Sequence, residues 1–144
     1  MRVVLDTNVL LAALKSDKGS SRKLLNRVMD GKLPILCSVP LFVEYEAVLK
    51  RPDHLDQIGL TVVQADTILD ALASLVEPVR LRFLWRPQLR DPADEMVLET
   101  AVNGQADRLV TFDLRHLAAA SKRFGIPAVT PPQLWKELSK HAQE

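Results

Sequence analysis

Asp6, Glu44, Asp94 and Asp113 are four acids placed where an α/β sheet would gather them. Asp6 closes the apolar run Val3-Val4-Leu5, and Asp113 closes Leu109-Val110-Thr111-Phe112. Glu44 and Asp94 fall in the opening turns of two expected helices, on the side that should face a sheet. Carboxylates brought together repel one another, and a hard divalent cation that prefers oxygen ligands relieves that repulsion. The chemistry open to these residues is therefore metal-assisted.

Each acid also has an ordinary reading. Asp6 is followed by Thr7 and Asn8, and all three types cap helices well, yet one helix start needs only one cap. Glu44 lies on the shoulder of the apolar stripe Leu41, Tyr45, Val48 and Leu49, where a long stem can snorkel toward water. Asp91, Pro92 and Asp94 approach a capping pattern, which could account for Asp91 entirely. Asp94 instead lines up with Val97, Leu98 and Ala101, and an acid on a buried stripe needs a partner. Glu95 and Glu99 face the other way and are expected in solvent. Asp107 reads as a turn residue, and His54, His116 and His141 share no metal-binding spacing, so none is given a role.

The elements that must position these acids alternate regularly. Arg2 to Leu5 reads as a buried strand and is followed by a helix through Val9, Leu10, Ala13 and Leu14. A helix from about Ser21 to Met29 stops at Gly31, and Leu33 to Cys37 is the next strand. Ser38 and Pro40 open a helix to about Lys50, ended by Arg51-Pro52. Thr61 to Leu75 is helical, and Val79 to Leu84 alternates like an edge strand. A helix from Asp91-Pro92 closes at Gly104. A strand at Arg108 to Thr111, a helix from Leu114 to Phe124, a short strand at Ala128-Val129 and a last helix from Pro131 to Leu138 complete the chain. This alternation predicts a mostly parallel sheet covered on both faces, with ligands beyond the carboxyl ends of its strands.

The bulk composition is consistent with one domain spanning residues 1–144. The apolar share is 47% and the formal net charge +1, so no global basic field advertises nucleic acid. Arg80, Arg82, Arg86 and Arg90 nevertheless cluster ahead of Asp91, either as a solvated face or as a track for phosphates. The one cysteine, Cys37, excludes an internal disulfide and reads as core. No leader pattern and no apolar run of about 20 residues is present, so the expectation is a cytoplasmic protein with no membrane partner.

Four segments in order carry a specific resemblance. Val4-Leu5-Asp6-Thr7-Asn8-Val9, Glu44 within Phe42-Val43-Glu44-Tyr45, Asp91-Pro92-Ala93-Asp94 and Leu109-Val110-Thr111-Phe112-Asp113 together resemble a PIN domain. They are most similar to its VapC-like branch, the small prokaryotic toxin components of toxin–antitoxin pairs. The resemblance implies a three-layer α/β/α Rossmann-like fold with a mostly parallel sheet. It implies a metal-dependent endoribonuclease with Mg²⁺ or Mn²⁺ held by Asp6, Glu44, Asp94 and Asp113. Asn8 and Thr111 match supporting positions, and Asp91 matches an extra acid. RNA as substrate, a homodimer and a cognate antitoxin are the implied partners. Many relatives carry Gly where Phe112 stands, and bulk there could narrow the approach to the metal.

Two other functions fit parts of the pattern. An aspartyl-phosphate phosphatase also starts with an Asp after its first strand, but it wants a second acid where Asn8 stands. A PIN module that has lost catalysis would bind RNA or a protein without cutting, and would be expected to lack some of the four acids.

Overall fold

The computed structural model describes residues 1–82 and 91–142. Its elements are β1 (Val3–Leu5), α1 (Thr7–Lys15), α2 (Ser20–Met29), β2 (Leu36–Cys37), α3 (Val39–Leu49), α4 (Pro52–Ile58), α5 (Val62–Leu75), β3 (Glu77–Pro78), α6 (Pro92–Gly104), β4 (Arg108–Val110), α7 (Leu114–Arg123), β5 (Ala128–Val129) and α8 (Pro131–Ala142).

Strand β4 lies between β1 and β5, and β2 pairs with β3, all in parallel. A parallel bridge from Val3 to Ile35 and a hydrogen bond from Val3 N–H to the Pro34 carbonyl join the two ladders. The strand order is thus β3-β2-β1-β4-β5. Right-handed crossovers in this order put α1 to α5 on one face and α6 and α7 on the other. The packing follows this division, with α2 against α1, α5 and α8 and α6 against α7 and the central strands, while α3 also meets α6 where Ser38 pairs with Thr100. The result is the three-layer α/β/α arrangement with a parallel sheet. The strands are short because the apolar runs are short, and both faces of β1 are buried, with Val3, Val4 and Leu5 at 0%, 0% and 2% exposure.

Three local outcomes differ from the sequence expectations. Pro52 does not merely end α3; it sits at the first position of α4, where its fixed φ and missing N–H cost nothing. Gly59 then closes α4 at φ +80°. The edge strand falls at Glu77–Pro78, earlier than Val79 to Leu84, because Glu77 N–H donates to the Ile35 carbonyl and Val79 N–H to the Cys37 carbonyl. Phe83 and Leu84 lie outside the described residues. Gly104 is the last helical residue of α6, and Gln105 takes the left-handed turn at φ +52°. Glycine at 104 serves close packing: a Cβ there would meet Leu36 Cδ1 and Val79 Cγ2, both at 2.9 Å.

Candidate functional site

The switch point of the sheet lies between β1 and β4, where the strand order reverses and a crevice opens beyond the carboxyl ends. Asp6 leaves β1 there and Asp113 follows β4 there. Asp6 N–H donates to the Val110 carbonyl at 2.8 Å, which locks the two strand ends together.

Asp6 occupies the N-cap position of α1, but its side chain makes no capping bond. Its Oδ2 instead accepts from Thr111 Oγ1 at 2.7 Å, and the same Thr111 oxygen accepts from Asp113 N–H at 2.8 Å. One hydroxyl therefore ties two of the acids. Asp6 is only 7% exposed. Burial raises its proton affinity, hydrogen bonds from Thr111 and the Thr7 backbone oppose that, and the charges of Asp113 and Asp91 add to it. The neighbouring Thr7 keeps a buried hydroxyl with no hydrogen-bond partner among the described residues.

Asp94 enters from the first turn of α6. Desolvation pushes its carboxyl up to about 6, with further pressure from Asp6, Asp91 and Asp113 and opposition from His116. Mutual repulsion of this kind means that Asp6, Asp91, Asp94 and Asp113 share one neighbourhood. Asp91 itself is exposed and caps α6, accepting from Ala93 N–H at 2.9 Å. Asn8 Oδ1 accepts a long bond from Phe112 N–H at 3.5 Å. Phe112 is 49% exposed on that same turn.

Glu44 stands half-buried on α3. It is not among the charges that perturb Asp94. Its helix is fixed at this end of the sheet by Tyr45, whose buried hydroxyl donates to the Leu5 carbonyl at 2.5 Å, one residue before Asp6. Ser38 caps α3 from Leu41 N–H, and its hydroxyl pairs with Thr100 Oγ1 at 2.7 Å, clamping α3 to α6.

His116, given no role from sequence, is part of the cluster. Its Nδ1 lies 2.8 Å from both Asp113 oxygens. Ligand atoms of Asp94, Asp113 and His116 all fall within 4.8 Å of one another. The available signal was the i, i+3 spacing from Asp113 across the first turn of α7, which puts both side chains on one face. Glu95 and Glu99 also depart from expectation: at 4% and 2% exposure they are buried, because α6 is covered on nearly every side from Val97 to Ala101.

Carboxylate oxygens with raised proton affinity, gathered at a crevice, are the donor set a hard divalent cation takes. Mg²⁺ or Mn²⁺ fits these residues. Arg80 and Arg82 do not belong here. Arg80 and Arg82 line a polar recess of about 390 Å³ with Arg2, Asn103 and Gln105. That recess lies at the other end of α6, roughly 15 Å from Asp94 at 1.5 Å per residue. Arg86 and Arg90 lie outside the described residues. Cys37 is core, with burial pushing its thiol up to about 12. His54 is spent on the Val48 carbonyl at 2.6 Å.

Residues 2–115 match the PIN domain family. Among solved structures, the chain is similar to VapBC2 from Rickettsia felis bound to a DNA fragment from their promoter. That match has a TM-score of 0.57 and 16% identity, covering 90% of this chain and 98% of the other. At that identity the likeness establishes the shared fold. No curated protein matches the chain in sequence.

Proposed function

Because this chain belongs to the PIN-domain family, we propose that it is a metal-dependent endoribonuclease and the toxin half of a toxin–antitoxin pair. The observation that carries the reading is the convergence of Asp6, Asp94 and Asp113 at the switch point, with Asp94 held near a pKa of about 6 by burial and by the other acids. The proposed ligands are Asp6, Glu44, Asp94 and Asp113, with Asn8, Thr111 and Asp91 in support.

When bound, Mg²⁺ or Mn²⁺ supplies Lewis-acid polarisation of the scissile phosphate and lowers the pKa of the attacking water. The chain's own residues do the rest. Thr111 holds Asp6 Oδ2 and the Asp113 backbone in fixed register, so two ligands arrive preorganised. Asp94, whose burial and acidic neighbours disfavour its bare charge, would be relieved of that cost by the cation it helps to hold. Asp91 caps α6 and so aims Asp94 at the crevice. In-line attack by water leaves a 5′-phosphate and a 3′-hydroxyl.

The VapBC2 likeness supports a cognate antitoxin as partner. A homodimer and a cytoplasmic location belong to the same reading. Among the described residues no single helix is long and apolar enough to cross a membrane.

Single-turnover cleavage of a structured RNA pool, with chemical mapping of both ends, tests the proposal. Mg²⁺- or Mn²⁺-dependent cutting with 5′-phosphate ends is expected, falling at least about 10²-fold in Asp94→Asn. Products with 2′,3′-cyclic phosphates would mean attack by the RNA's own hydroxyl and would overturn the mechanism. A protein that binds RNA without cutting it under either metal would be the inactive PIN module instead.

A further inference from the structure

His116 is 68% exposed, so packing does not hold its ring. The contact with Asp113 does, and that contact has an unusual form. Nδ1 is equidistant, at 2.8 Å, from both carboxylate oxygens. An ordinary surface pair across the first turn of a helix needs no third member. Here an oxygen of Asp94, brought from a different helix, lies within 4.8 Å of a ring nitrogen of His116 and of an Asp113 oxygen.

These separations leave room for one shared ion. Two atoms bound at right angles at 2.0–2.1 Å sit about 3.0 Å apart, and two bound opposite one another about 4.2 Å apart. The Nδ1 to Asp113 spacing of 2.8 Å is close to the first value, and the 4.8 Å that encloses all three atoms is slightly wider than the second, a gap that small side-chain movements close. Without metal, the Nδ1 proton sits between nitrogen and carboxylate. On coordination the neutral ring only has to change tautomer, leaving its proton on Nε2, which the exposure of the ring places in reach of water.

We propose that His116 is a nitrogen ligand of the same cation, and that its imidazole makes the site prefer Mn²⁺ to Mg²⁺. The inference rests on the metal-dependent reading above. Mg²⁺ is strongly oxygen-seeking, whereas imidazole is a good ligand for the first-row divalent ions. Carboxylates alone would leave the choice of ion to availability, and one ring nitrogen tilts it.

Pulsed electron paramagnetic resonance of the Mn²⁺-loaded protein reads directly whether nitrogen touches the metal. Calorimetric titration with Mn²⁺ and with Mg²⁺ reads the preference. The wild-type chain should show ¹⁴N coupling that disappears in His116→Ala, a change at an exposed position that leaves the circular dichroism spectrum intact. The same variant should lose roughly 10–100-fold in Mn²⁺ affinity, on the scale seen when metal-site partners are removed, with Mg²⁺ affinity moving by less than about threefold. Mn²⁺ bound without ¹⁴N coupling, or coupling that survives in His116→Ala, overturns the histidine assignment and leaves the nuclease reading standing. Equal losses for the two ions overturn the claim of preference. A wild-type chain that binds neither ion removes the nuclease reading and this inference with it.

Discussion

Under the proposed function, Asp94 is the residue at which protons and metal would compete. Its carboxyl holds a proton up to about pH 6 in the folded chain, against an ordinary 3.8. Between those values the unfolded chain binds fewer protons than the folded one, so stability falls as pH rises. The stabilising contribution is complete below about pH 4 and gone above about pH 6. The metal-free protein should therefore lose thermal stability across that window, and Asp94→Asn should reduce the loss, leaving the part due to buried Asp6. At pH 7 the variant should gain under about 1 kcal/mol in urea unfolding, a small figure because water screens a half-exposed group. Metal affinity should fall in the same window, as protons take the ligand. The positions of Asp6 and Asp94 at the crevice were legible in the sequence because a strand end and a helix stripe are period-based signals. His116 was not, since an i, i+3 partner on an exposed helix start is ordinarily a surface pair. Glu95 and Glu99 were misjudged because a helix wheel assigns a single wet face, and α6 has almost none.

At the scale of elements, the site depends on α3 and α6 being clamped to the end of the sheet. Tyr45 is the fixing point for α3, fully buried with its hydroxyl on the Leu5 carbonyl. Tyr45→Phe should destabilise the protein by about 1–2 kcal/mol, the usual cost of leaving a buried acceptor unmet. Because Leu5 precedes Asp6, the same change should also weaken Mn²⁺ binding several-fold. A stability loss with unchanged metal affinity would mean that α3 does not help position Asp6. Most element boundaries were readable from caps and breakers: Ser38, Thr61 and Asp91 all cap the helices expected of them. The helix at Pro52–Ile58 was not readable, because Pro both ends one helix and starts the next, and the sequence alone favours the first role.

At the scale of the whole molecule, the strand order β3-β2-β1-β4-β5 turns scattered acids into one site. Strands β1 and β4 end at the switch point; Asp6 follows β1 directly, and Asp113 follows β4 after Thr111 and Phe112. Alternation of elements sufficed to infer a covered parallel sheet, and the four motifs sufficed to suggest a PIN domain. Neither could say that Arg80 and Arg82 line a recess at the far end of α6, because that depends on the α6 packing that a glycine at 104 permits. The central claim is that one point above this sheet holds a divalent cation, and anomalous diffraction from a Mn²⁺-soaked crystal tests it most directly. A peak within about 2.0–2.3 Å of carboxylate oxygens from Asp6, Asp94 or Asp113 is predicted. Fully occupied crystals with no peak at that point, or with manganese bound only elsewhere on the surface, would contradict the account.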